Sequence, residues 1–285
     1  MPLLPSLSPP EIAERVDRLE IDFNRHGLDR YGLDKAALTR FFTILRFLYK
    51  RYFTMRVYGA ENIPERGRAM LVGNHSGGVA LDGALIWAST FFELEPPRLA
   101  QGMAEKFLAA APFSAMWTSK TGQLTGLPEH ATRLLEDDRL LLVFPEGARG
   151  TAKLYPERHS LVRFGTGFMR LALQTRSPIV PVAFIGGGEA IPTIHNSKTM
   201  GRLVGAPYVP FTPWLVALPR PVACQIYYGP PMEFEGDGNE ADEVIQGYVS
   251  QVKERIAAMI EVGVDRRHRD ALDEPFVMPG SKEAS

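Results

Sequence analysis

The chain has 285 residues, 45% of them hydrophobic and 23% charged, with a formal net charge of −1. That composition excludes a disordered or collagen-like chain, is rich enough in apolar residues for a sizeable core, and gives no global pull toward nucleic acid. A single cysteine, Cys224, rules out an intrachain disulfide and suits a reducing compartment.

The opening residues, MPLLPSLSPP, lack the basic start and long apolar centre of a signal peptide. No window offers roughly 18 uninterrupted apolar residues, so no conventional membrane span is expected. Ser8 with Pro9 and Pro10 reads as a helix start, and Ile12, Val16, Leu19 and Phe23 follow at helical spacing, with Gly27 as the expected stop. A second helix is expected after Asp34, with Leu38, Phe41, Phe42, Leu45, Leu48, Tyr49 and Tyr52 on its apolar face. Residues 35 to 60 carry Lys35, Arg40, Arg46, Lys50, Arg51 and Arg56 and no acid. That pattern predicts an amphipathic extension able to lie on an anionic membrane surface; a core-packing helix with a solvated basic face is the competing reading.

From residue 55 the pattern turns to strand–helix alternation. Strands are expected at 55–59, 69–73, 98–103, 140–144, 179–185 and 223–229. Helices are expected at 79–92, 105–117, 128–137, 161–175 and 240–262. The expectation is an α/β fold: a mainly parallel central sheet flanked by helices, with an N-terminal amphipathic helical extension. The segments are 1–54 (helical), 55–265 (the α/β domain) and 266–285 (a polar tail). Residues 206 to 221, with five prolines, read as irregular covering structure and a second patch that could touch a membrane, and RRHR at 266–269 as a solvated basic end.

Two polar clusters follow predicted strands. Asn74-His75-Ser76-Gly77-Gly78 succeeds the run at 69–73, with Asp82 beyond it. Phe144-Pro145-Glu146-Gly147-Ala148-Arg149 closes the run at 140–144. In a parallel sheet both lie at the carboxyl edge, where ligands bind. His130, His159 and His195 lack metal-ligand spacing, and no G-x-S-x-G elbow is present.

The stretches GNHSGG with a following Asp, VFPEGARG and PIVPVAFIG together resemble the glycerolipid acyltransferase superfamily, whose best-known members are 1-acylglycerol-3-phosphate acyltransferases. The resemblance covers roughly residues 50 to 235. It implies acyl-CoA as co-substrate with no further cofactor and a glycerolipid acceptor, lysophosphatidate or a related glycerol lipid, with a neutral-lipid acceptor or thioester hydrolysis by the same histidine as the alternatives. The near-neutral charge, the lack of a span and the basic amphipathic segment lead to the expectation of a cytoplasmic protein peripheral on a membrane, with no nucleic-acid partner. The resemblance also implies that His75 is the general base and Asp82 its orienting acid. Asn74, Ser76, Gly77, Phe144, Pro145, Glu146, Gly147 and Arg149 would line the substrates, Glu146 and Gly147 at the acceptor and Arg149 at a phosphate or other polar head. Backbone N–H groups of Ser76, Gly77 and Gly78 could face a developing oxyanion.

Two features depart from the family pattern. Six residues separate His75 from Asp82 where four are usual. Seven steps on one helix span about 10.5 Å, so the Gly77-Gly78 turn must fold the chain back for the two to meet; otherwise Asp82 serves only its helix N-terminus. The longer spacing resembles the branch related to diacylglycerol acyltransferases, whose acceptors are neutral. The arginine that phosphate-using members carry between the two clusters has only Arg133 as a counterpart, on a predicted helix surface, which leaves Arg149 and Lys153 as phosphate candidates.

Overall fold

The computed structural model describes residues 9–77, 81–104, 120–125, 127–214, 219–274 and 276. In chain order the elements are α1 (Pro9–Asp17), α2 (Lys35–Phe47), β1 (Arg56–Tyr58), β2 (Ala69–Gly73), α3 (Leu81–Phe92), β3 (Ala100–Ala104), β4 (Leu124–Thr125), α4 (Pro128–Glu136) and β5 (Leu140–Val143). They continue with α5 (Ala148–Thr151), α6 (Gly167–Thr175), β6 (Ile179–Ile185), α7 (Gly187–Ala190), β7 (His195–Ser197), α8 (Lys198–Val204), β8 (Val209–Phe211), β9 (Gln225–Tyr228) and α9 (Asp242–His268). The helix expected at 105–117 lies outside the described residues.

One sheet runs β1-β9-β6-β2-β5-β3-β4. Every neighbouring pair is parallel except β6 with β9. The alternation of side chains along each strand divides the core in two. Leu71, Leu142, Val180, Val182 and Phe184 face α1, α2 and α3. Met70, Val72, Leu141, Ala183 and Ile185 face α4, α6 and α9.

The N-terminal helices are part of that core. Asp34 caps α2 by accepting from the backbone N–H of Ala36 and Ala37. One face of α2, continued by a π-helical turn at Leu48–Tyr52, buries Leu38, Phe42, Leu45 and Tyr49. Phe42 stacks on Phe91 of α3 with ring centroids 3.8 Å apart. The expected boundary at 54/55 is therefore not a packing boundary. The opposite face of α2 leaves Ile44 (63%) and Phe47 (62%) exposed.

Several expectations differ in detail. The first helix stops at Asp17, and Gly27, at φ +76°, instead forms part of a turn whose carbonyl accepts from Lys35 N–H. Residues 161–166 are not helical because their backbone bonds elsewhere: Val162 N–H donates to Glu146 and Gly165 N–H to the Pro145 carbonyl. Part of the proline-rich cover, β8, pairs antiparallel with β7. Arg266, expected at a solvated end, is buried, with its guanidinium over the Tyr58 and Phe276 rings.

Candidate active site

Strands β2 and β5 are adjacent, with Val72 opposite Val143. The chain therefore leaves both strands at the same edge, and the histidine and the acidic turn arrive side by side. His75 Nδ1 lies 3.0 Å from Asp82 Oδ1. Asp82 is buried in the first turn of α3, and its other oxygen accepts from Ser76 N–H at 3.0 Å. The six-residue separation thus still closes to a direct contact, with the aspartate holding both the ring and the peptide that follows it. With the carboxylate accepting, the ring proton sits on Nδ1 and Nε2 carries the lone pair. Nε2 has no hydrogen bond among the described residues, and the side chain keeps 8% exposure. The imidazole lies flat on Phe144, centroids 4.0 Å apart and planes 12° apart.

Glu146 is 1% exposed. One of its oxygens accepts from His75 N–H at 2.9 Å and the other from Val162 N–H at 2.8 Å. Lys153 Nζ straddles both, at 2.9 and 2.7 Å, and also donates to the His75 carbonyl at 2.6 Å. Burial lowers the Lys153 pKa, an effect opposed by the charge of Glu146 and its hydrogen bond. Two glycines allow this packing. A Cβ on Gly150 of α5 would meet His75 Cβ at 2.8 Å and Glu146 Cβ at 2.7 Å. Gly77 holds φ +94°, and a Cβ there would meet the Lys153 carbonyl at 2.8 Å.

Several predicted substrate-facing residues are occupied otherwise. Asn74 exchanges two hydrogen bonds with the Phe184 backbone, at 3.1 and 2.8 Å, which prolongs the β2–β6 pairing by one residue. The Ser76 N–H is spent on Asp82 and so is not an oxyanion donor, and Ser76 itself is buried. Glu146 has no oxygen left for an acceptor, because backbone amides and a lysine fill its sites. Lys153, a phosphate candidate from sequence, is likewise consumed. Phe144 forms the wall behind the imidazole, Pro145 anchors Gly165, and Gly147 (φ +56°) precedes α5. Arg149 is exposed and makes no hydrogen bond or ion pair among the described residues. Arg133 is exposed on α4 as expected. Gly78 lies outside the described residues.

A second ionic group borders the first and was not anticipated as a unit. Glu189 of α7 takes Arg158 Nε at 3.0 Å and His159 Nε2 at 2.9 Å on one oxygen. Its other oxygen is buried without a hydrogen bond. Burial alone would raise its pKa, yet the hydrogen bonds of His159 and Arg158 and the charges of His159 and Arg267 win and bring it to about 2. A Cβ on the neighbouring Gly188 would meet both the Ser76 carbonyl and Arg158, so this group sits against the histidine turn. The sequence signal was Glu189 following a Gly triplet after a strand, which does not announce partners thirty residues upstream.

Residues 54–185 match the family model named Acyltransferase. An uncharacterized protein of Mycobacterium tuberculosis is 34% identical over 217 residues, covering 73% of this chain and 60% of the relative. The human protein named "DGAT1/2-independent enzyme synthesizing storage lipids" is 25% identical over 180 residues, 63% of this chain and 54% of that one. The chain thus spans about 60% or less of the length of these curated relatives. The crystal structure of the 1-acyl-sn-glycerophosphate (LPA) acyltransferase PlsC from Thermotoga maritima superposes with a TM-score of 0.53 over 80% of both chains at 20% identity, which is a likeness of fold.

Proposed function

We propose that this chain is a glycerolipid acyltransferase that transfers a fatty acyl group from acyl-CoA to a hydroxyl of a glycerolipid at a membrane surface, a reading supported by the match of residues 54–185 to the Acyltransferase family model. The observation that carries this reading is the buried Asp82–His75 pair at the carboxyl edge of the sheet, with Nε2 unbonded. The acceptor hydroxyl would give its proton to Nε2 as its oxygen attacks the thioester carbonyl. The tetrahedral intermediate would then collapse, breaking the C–S bond, and the imidazolium would return the proton to the departing thiolate. Asp82 fixes the Nδ1–H tautomer and steadies the imidazolium. General-base catalysis of this kind contributes roughly 10²–10⁴-fold, and holding donor and acceptor together supplies much of the rest.

A neutral acceptor, such as a mono- or diacylglycerol or a fatty alcohol, is favoured over lysophosphatidate by one observation. Of the two phosphate candidates, Lys153 is consumed by Glu146 and the His75 carbonyl, which leaves exposed Arg149 alone. The longer His75–Asp82 spacing and the similarity to the storage-lipid enzymes support the same direction.

Thiol release is measured from several acyl-CoAs against lysophosphatidate, glycerol 3-phosphate, monoacylglycerol, diacylglycerol and long-chain alcohols. Release that depends on an acceptor, and falls by about 10⁴-fold in His75→Ala, is the expected result. Acceptor-independent release would replace transfer with thioester hydrolysis by the same histidine.

For the membrane, the exposed stripe Arg40, Ile44, Phe47 and Arg51 on α2 and its π-helical extension joins apolar and cationic side chains. No helix among the described residues is long and apolar enough to cross a bilayer. Cosedimentation with phosphatidylglycerol vesicles is expected to weaken with salt, at about 1 kcal/mol per surface cation, and to drop in Ile44→Ser/Phe47→Ser. Binding that ignores both changes refutes the assignment of this stripe.

A further inference from the structure

We propose that Lys153 is a positioning residue for the His75–Asp82 pair, acting through the backbone of His75. This inference rests on the reading of His75 as the base.

The His75 main chain is gripped at both ends by one buried ion pair. Glu146 receives its N–H at 2.9 Å, and Lys153 Nζ donates to its carbonyl at 2.6 Å. That carbonyl belongs to the 75–76 peptide, whose N–H, on Ser76, donates to Asp82 Oδ2 at 3.0 Å. Asp82 Oδ1 in turn meets His75 Nδ1 at 3.0 Å. The lysine cation and the aspartate anion therefore sit at opposite ends of a single peptide group. A cation on the oxygen polarises the amide and makes its N–H a stronger donor to Asp82, as hydrogen bonds in a chain reinforce one another. The carboxylate is thereby fixed in place and the ring tautomer with it. The ammonium also fixes the 75–76 peptide, and so the backbone from which the imidazole projects onto Phe144.

The location of Lys153 argues for this role over a role at a substrate. Its side chain is 1% exposed, and its ammonium is occupied: it donates to Glu146 Oε1 and to the His75 carbonyl, and is ion-paired with Glu146 Oε2. Its own carbonyl lies where a side chain on Gly77 would fall, so the lysine backbone is locked against the same turn. The charged groups that act on it are Glu146, Asp82 and Glu157, all acidic, and they offset the burial that would otherwise drive the proton off.

The test uses the full chain with two variants. Lys153→Met leaves Glu146 buried and unpaired, and so risks folding; Glu146→Gln/Lys153→Met removes both charges together and avoids that penalty. In both, kcat is expected to fall by about 10²-fold while KM for acyl-CoA stays within about threefold, the signature of a misplaced base. The acidic limb of the kcat–pH profile should move to higher pH in Lys153→Met, because loss of the cation favours the imidazolium, and move back in the double variant. Independently of any activity, the downfield proton resonance of His75 Nδ1, assigned by its absence in His75→Ala, should weaken or shift upfield in whichever variant folds. An unchanged resonance in either folded variant overturns the proposal. A kcat loss without any movement of limb or resonance also overturns it, and assigns Lys153 a purely structural role. Should the wild-type protein transfer no acyl group at all, the functional reading fails, and the resonance alone still decides the role of Lys153.

Discussion

Besides Asp82, two carboxylates stand beside the same histidine turn, and they are built in opposite ways. Glu146 is sealed: both oxygens are filled, its lysine is buried with it, and backbone amides from two segments converge on it. Glu189 stands nearer the rim. Its partners Arg158 and His159 keep 23% and 25% exposure, and one of its oxygens has no hydrogen bond. A buried ion pair contributes little net stability over a well-packed apolar pair, while removing one member is costly because a lone charge remains. The sealed group therefore serves as a rigid frame for the histidine. The rim group can exchange a partner for solvent or ligand at smaller cost. The difference teaches that charge beside this histidine is not one kind of thing: burial and saturation decide whether a carboxylate is held fast or can exchange its partners.

The comparison predicts a ranking of effects. The largest lies on the sealed side. Asp82→Asn keeps the shape but places an amide against Nδ1 and Ser76 N–H, and should lower kcat by about 10²-fold or more with little loss of fold; near-normal turnover would detach Asp82 from the chemistry. Next, Gly150→Ala drives a methyl between Glu146 and His75 and should destabilise the protein by about 1–3 kcal/mol in urea unfolding, with a parallel loss of rate. A silent substitution there would mean that α5 moves aside freely, contrary to a rigid frame. On the rim, Glu189→Gln should change kcat by only about two- to fivefold, with any effect falling on acceptor KM; a loss matching that of Asp82→Asn would erase the distinction between the two groups. The smallest effect concerns acid stability. The Glu189 pKa in the fold is depressed, to about 2 from an ordinary 4.5. Its stabilisation is therefore present above the unfolded value and is lost as pH falls from about 4.5 to about 2, because the unfolded chain takes up the proton first. Melting temperature should fall less steeply over that window in Glu189→Gln than in the unsubstituted protein.

Much of the sheet is legible in the sequence. The uninterrupted apolar run IVPVAFI became β6 residue for residue, because a strand buried on both faces leaves no room for polar alternation. The joint arrival of His75 and Glu146 at one edge followed from two strands leading in the same direction. What the sequence concealed was inward-facing polarity. Asn74, Ser76, Glu146 and Lys153 are types that ordinarily meet water or substrate, and only tertiary contacts show that each is spent on a backbone group. Residues 161–166 show the same limit: their helical pattern yielded to two backbone N–H donations, from Val162 and Gly165, to the Glu146 loop. Arg266 was hidden for a related reason, since a basic cluster at a chain end does not reveal two aromatic rings waiting for one of its members.

The grip of Asp82 on both the ring and the following amide has an evolutionary consequence. Once the two ends of a connector are pinned in space, its length can drift: lengthening it from four residues to six adds only roughly 0.4 kcal/mol of closure entropy. Relatives should therefore tolerate insertions and deletions between the two anchors more readily than changes at either anchor. Searches that demand a fixed gap would pass over such chains, whereas searches keyed to the anchors and to the acidic turn beyond them would retrieve them.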